Sequence, residues 1–134
     1  MKLMLDTNIC IAIIKKKPKN ILQKLSDYQI GDICISSVTL AELRYGVAKS
    51  KYIEKNRVAL DEFILPLEVA DFDELATHYY GTLRANLEKQ GIPIGPLDTM
   101  IGAHALSLNV TLVTNNTKEF NRVVGLKLID WISS

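Results

Sequence analysis

Cysteine, proline and tryptophan are scarce in this sequence, at two, four and one in 134 residues. Cys10 and Cys34 each lie in an apolar run with no Cys or His nearby. That excludes a disulfide framework and a thiolate metal site, and suits small core residues in a reducing compartment. Long hydrophobic runs are missing too. The longest near the N-terminus covers residues 9–14, far short of a bilayer span. Asp6 and Asn8 break the apolar start at once, so no signal peptide is expected, and the chain reads as cytoplasmic with no membrane segment. There is no low-complexity tract, internal repeat or linker. What remains is ordinary globular composition, 48% hydrophobic, in a chain long enough to bury a core. One domain over 1–134 is the expectation.

Net charge is only +1, but it is unevenly spread: residues 1–57 carry eleven Lys and Arg against five Asp and Glu, and residues 58–134 carry five against ten. The basic half suggests an anionic partner such as nucleic acid, although an unevenly charged solvated surface would look the same.

Short apolar runs alternate with helical patterns. Leu3–Leu5, 33–35, 67–70 and Thr111–Val113 suit strands, and 127–129 a fifth at an edge. Helices are expected from Asn8 to the lysines before Pro18, over 20–28, from Ser36 or Ser37 to near Gly46 or Lys49, over 52–65 and 73–90, and over Pro96–Leu108. This alternation implies an α/β fold with a mainly parallel sheet of four or five strands.

Ligands of such sheets gather beyond the carboxyl ends of the strands. Asp6 closes the first strand, and Thr114, Asn115 and Asn116 close the fourth. Glu42 is the single acid of its helix, and its neighbours three and four positions away include no cation. Asp98 is the only charge on the helix from Pro96. Glu119 follows five residues after Thr114. Each has an ordinary explanation: a helix cap for Asp6, a distant ion pair for Glu42, a first-turn dipole contact for Asp98, a surface pair with Arg122 for Glu119. Together they suggest a cluster. Clustered carboxylates stay ionised when a cation joins them. Oxygen donors without His or Cys favour Mg²⁺ or Mn²⁺. Such an ion activates water for phosphoryl displacement, and with a basic half this points to phosphodiester hydrolysis.

The segments MLDTN, SSVTLAELRYG, GPLDTMIGAHA and TNNTKEF, spread in this order over nearly the whole chain, resemble the four motif regions of PIN-domain ribonucleases. More closely they resemble the VapC toxins of bacterial toxin–antitoxin pairs. The resemblance implies a three-layer α/β/α sandwich and a Mg²⁺- or Mn²⁺-dependent endoribonuclease that cuts structured RNA, often tRNA, and so inhibits translation. It also implies a VapB-type antitoxin whose tail lies across the active site, and a homodimer within a larger toxin–antitoxin complex. Carried over, Asp6, Glu42 and Asp98 match the three acidic metal-site positions. Where the family often has a further Asp, this chain has Asn116, so the resemblance makes Glu119 the fourth acid and Asn116 a polar neighbour.

On this basis Asp6 and Asp98 are expected to bind the ion most directly, Glu42 to ligate it or orient water, and Glu119 to act through water or a second ion. Asn8 and Thr114 are expected to fix carboxylate geometry by hydrogen bonds. Attack at phosphorus would leave a 5′-phosphate and a 3′-hydroxyl. Arg44, Lys15, Lys16 and Lys17, with Lys19, Lys49 and Lys51, are candidate RNA-phosphate contacts. His78 reads as a surface residue and His104 as packed or capped. Tyr45, Tyr79, Tyr80 and Trp131 read as core or interface, and Leu22, Leu25 and the positions around Ile53 and Val58 as a possible groove for the antitoxin or a second copy. Two other readings fit the acids: a DNA-directed or flap-type metal nuclease, and a non-enzymatic Mg²⁺-binding module of the response-regulator kind.

Overall fold

The computed structural model describes residues 1–132; of the expected 1–134 domain, residues 133 and 134 lie outside the described residues. Strands β1 (Leu3–Leu5), β2 (Ile33–Ser36), β3 (Glu68–Ala70), β4 (Thr111–Val113) and β5 (Leu128–Ile129) form one five-stranded sheet in the order β3-β2-β1-β4-β5. Every neighbouring pair is parallel. The central strand β1 is buried along its whole length, which is why it reads LML rather than alternating with polar residues.

Strand alternation divides the core into two. Leu3, Leu5, Ile33, Ile35 and Val113 face one side, with Ile9, Ile13, Leu43 and Leu60. Met4, Cys34 and Leu112 face the other, with Leu87, Ile101 and Phe120. Successive side chains of a strand point to opposite faces, so each strand serves both layers. Helices α1 (Thr7–Lys15), α2 (Ile21–Ser26), α3 (Ser37–Ala48) and α4 (Ile53–Ile64) cover the first side; α5 (Glu74–Lys89) and α6 (Pro96–Leu108) cover the second. This is the expected three-layer α/β/α sandwich, with the higher of the two strand counts.

Local chemistry sets the helix starts. Asp6 caps α1, Ser36 caps α3 and Asp73 caps α5, each accepting a hydrogen bond from a backbone N–H of the first turn. Pro96 opens α6, where its missing N–H costs nothing. Some boundaries differ from expectation. α1 ends at Lys15 because Lys16 turns left-handed, at φ 57°, so Lys16 and Lys17 are not helical. α2 is shorter than 20–28. A short helix, α7 (Thr117–Phe120), follows β4; four residues are too few to show a helical period.

His104 is the packed residue the sequence suggested. It is buried, its ring lies edge-on to Phe72 at 5.4 Å, and Nδ1 is 2.8 Å from Ser36 Oγ. Burial pushes its pKa down, while a hydrogen bond to the Asp71 backbone and the Asp73 and Asp71 charges oppose this. A backbone carbonyl can only accept, so the neutral ring donates to Asp71 and its Nδ1 accepts a hydrogen bond from the Ser36 hydroxyl. Ser36 Oγ also accepts from Val38 N–H at 3.0 Å. One hydroxyl therefore caps α3 and fixes α6 against the end of β2. Ser36→Ala removes the cap and leaves a buried imidazole nitrogen unpaired, which should cost about 2 kcal/mol or more in urea unfolding.

Candidate metal and active site

From β1 the chain moves outward through β2 to β3, then returns to lay β4 and β5 on the other side of β1. The carboxyl ends of β1 and β4 therefore flank the point where strand order reverses, the place where ligands of such sheets gather. Asp6 follows β1 immediately, and its N–H donates to the Val113 carbonyl at 3.0 Å. The residue is only 4% exposed. Its Oδ1 accepts from Ile9 N–H at 2.9 Å, so Asp6 is a helix cap and a strand-end carboxylate at once.

Neutral groups hold the other acids. Thr7 Oγ1 donates to Glu42 Oε1 at 2.6 Å, joining α1 to α3. Asn116 Nδ2 donates to Glu119 Oε2 at 3.3 Å, and the same amide hydrogen-bonds Asp98 on the first turn of α6. Thr114 accepts from Asn116 N–H at 2.9 Å, and its hydroxyl stabilises the Asp6 carboxylate. Arg122 does not pair with Glu119; it donates to the Pro93 carbonyl at 2.9 Å.

Electrostatics show that these acids converge. Burial pushes the Asp6 carboxyl from 3.8 up to about 6; the Asp98 and Glu42 charges push the same way, against the Thr114 and Ile9 hydrogen bonds. Asp98 is raised by burial first, then by Glu42 and Glu119, and Asn116 opposes this. No cation is among the groups that set either value. Among the described residues no three or more His, Cys, Asp or Glu close into a ready-made metal cage. Glu42, Asp98 and Glu119 are instead partly open to solvent. That suits Mg²⁺, which keeps several waters and takes few carboxylates directly. The all-oxygen donor set and the uncompensated charge fit a Mg²⁺ or Mn²⁺ ion.

Residues 3–126 match the PIN domain. The chain belongs to the VapC group of the PIN-domain family. It is 48% identical to a tRNA(fMet)-specific endonuclease VapC of Shigella flexneri over 131 residues, 98% of each chain. It is 49% identical to ribonuclease VapC2 of Rickettsia felis over 129 residues, 96% of each. A crystal structure of VapBC from Salmonella typhimurium bound to DNA superposes with a TM-score of 0.93 at 45% identity, covering 98% of both chains. The VapBC2 complex of Rickettsia felis bound to a promoter DNA fragment gives 0.90 at 46% identity, covering 98% of this chain and 99% of that one.

Within this PIN domain Asp6, Glu42, Asp98, Glu119, Thr114 and Asn116 come together as the sequence suggested. Asn8 does not join them. It lies exposed on the first turn of α1, and its side chain has no hydrogen bond among the described residues. Thr7 does the work assigned to it; a helix bends the two neighbours in different directions, and the sequence shows no sign of which one faces α3. Arg44 is also elsewhere: its guanidinium is 2.7 Å from Asp61 on α4. Lys15 lines the groove beside Glu42, while Lys16 and Lys17 are exposed beyond α1. Trp131 is buried and stacks on Tyr28 at 5.7 Å, but Tyr45 and Tyr79 are exposed and are not core. The groove by Glu42, of about 350 Å³, is walled by Ile11, Ile14, Leu43, Val47, Ala59 and Leu60, not by Leu22, Leu25, Ile53 or Val58. Thr39 Oγ1, three positions before Glu42, is a buried side-chain atom without a partner among the described residues; ordered water is what usually satisfies such an atom.

The raised Asp6 pKa has a stability consequence. A carboxyl raised on folding favours the native state below its unfolded pKa, near 4, and that contribution is lost as pH rises through about 6. At neutral pH the metal-free protein therefore carries a penalty on the order of 3 kcal/mol. Asn has no charge to desolvate and caps a helix as well as Asp. In EDTA, Asp6→Asn should raise the melting temperature at pH 7.5 and leave it nearly unchanged at pH 4.

Proposed function

We propose that the chain is a Mg²⁺- or Mn²⁺-dependent endoribonuclease, the toxin of a toxin–antitoxin pair, acting on structured RNA of the tRNA kind and so inhibiting translation. One observation carries this reading: beyond the ends of β1 and β4, Asp98 and Glu42 raise Asp6, and Glu42 and Glu119 raise Asp98, with no cation among the groups that set either value. Relatives named as tRNA(fMet)-specific endonucleases at 48% and 45% identity support the substrate class.

Asp6 and Asp98 would hold the ion, Asp6 from a rigid strand end and Asp98 from the start of α6. A bound divalent ion supplies activation of water and charge stabilisation for in-line displacement at phosphorus. Glu42, held by Thr7, and Glu119, held by Asn116, would orient water and accept its protons through hydrogen bonds. Thr114 keeps Asp6 in place. The 3′-oxygen leaves, giving a 5′-phosphate and a 3′-hydroxyl.

The apolar groove walled by α1, α3 and α4 includes Glu42 in its lining, so an apolar segment laid in it would lie beside one of the acids. That suits a VapB-type antitoxin, the partner present in the similar VapBC complexes. Exposed Leu75 and Tyr79 on α5 suit a homodimer contact.

Purified protein incubated with total cellular RNA should create new 5′-phosphate ends with Mg²⁺ and none with EDTA. Asp98→Asn should lower the rate by at least about a hundredfold. Equal cleavage in EDTA, or cleavage of flapped DNA in preference to tRNA, would refute the assignment.

A further inference from the structure

Tyr45 stands three residues beyond Glu42 on α3, so the two side chains are surface neighbours about 5–6 Å apart at Cβ. Its ring is 66% exposed. An exposed tyrosine alone means little. This one has Lys49 Nζ over it, 4.9 Å from the ring centroid. The same pairing recurs around the α3–α4 corner, where Lys51 Nζ lies 5.6 Å from the ring centroid of Tyr52, itself 60% exposed.

Among the described residues no carboxylate pairs with these lysines. Every salt bridge among the described residues uses arginine, Arg44 and Arg57 being held by Asp61 and Glu54 and Arg84 by Glu88. The corner therefore separates two kinds of cation: arginines neutralised by carboxylates, and lysines that meet only tyrosine rings. A lysine on one face fixes a ring without burying its other face. Open ring faces beside unpaired cations are the combination that binds single-stranded nucleic acid, since every base stacks and every phosphate attracts. A protein helix seated here would instead need contiguous aliphatic surface, which lies in the groove on the other side of Glu42.

We propose that Tyr45 and Lys49 form a stacking shelf at the lip of the acid cluster, taking an unpaired base of the RNA next to the cleaved phosphate, with Tyr52 and Lys51 serving a neighbouring nucleotide. The proposal rests on the ribonuclease reading. It predicts a preference for loops over duplex, because a paired base has no free face to offer. Tyr45 is then a substrate-binding residue and takes no part in metal binding.

The test uses a single-stranded oligoribonucleotide and its blunt duplex, with binding measured in EDTA and cleavage of bulk tRNA measured in Mg²⁺. Tyr45→Ala should weaken single-strand binding about tenfold, raise KM with kcat little changed, and leave duplex binding as it was. Tyr45→Phe keeps the ring and should behave as wild type. Lys49→Gln should weaken binding less and flatten its salt dependence. Unchanged RNA affinity and KM in Tyr45→Ala would overturn the shelf while leaving the nuclease assignment standing. The same holds if that variant lost only antitoxin binding, which would make the ring a protein contact. Wild-type protein that neither binds nor cuts RNA would overturn both.

Discussion

The structure turns on a carboxylate that is buried before it is neutralised. Asp6 sits at the end of a strand covered on both faces, with a pKa pushed up to about 6. It cannot move away, because its own N–H is part of the ladder to β4 and its side chain caps α1. Rotating it toward solvent would undo the cap, and removing it from the ladder would open the centre of the sheet. Its unfavourable ionisation is therefore built into the fold, and a divalent cation is the simplest group that relieves it.

Around this acid the chain uses neutral donors wherever an ion pair would be expected. Thr7, Thr114 and Asn116 orient carboxylates by hydrogen bonds, and the arginines are kept on Asp61, Glu54, Glu88 and the Pro93 carbonyl. A hydrogen bond fixes direction without cancelling charge. A guanidinium at Asp98 or Glu42 would satisfy the same oxygens and cancel the charge that the proposed ion would meet. The exclusion of cations from the acid cluster is thus as much part of the site as the acids are.

Much of this was legible in the sequence. β1 could be read from LML because a strand buried on both faces must be apolar throughout. Asp6 stood out because it closes an apolar strand, and Glu42 and Asp98 because each lacked a cation at helical spacing. What escaped was side-chain direction. Asn8 and Thr7 are equally polar and adjacent, and only the way α1 packs on α3 makes Thr7 the one that reaches Glu42. Arg44 looked free because Asp61 is far along the chain and meets it only when α4 folds back. Tyr45 read as core or interface because large aromatic side chains usually are one or the other, and its exposure depends on where the α3–α4 corner lies. Motif order carries topology, whereas the facing of single residues is a tertiary property.

Asn116 shows why the neutral choice matters most where acids are closest. It stands where the family often places another aspartate, between Asp98 and Glu119. A carboxylate there would add a third like charge to a pair that already repel, raising Asp98 further and demanding more cation to hold the site together. An arginine would neutralise both acids. The amide has two donor hydrogens and no charge, so it can bridge the two carboxylates while leaving both free to attract an ion. With Asn at this position, fewer negative charges are available to hold a second ion, were the proposed one bound, than Asp would supply.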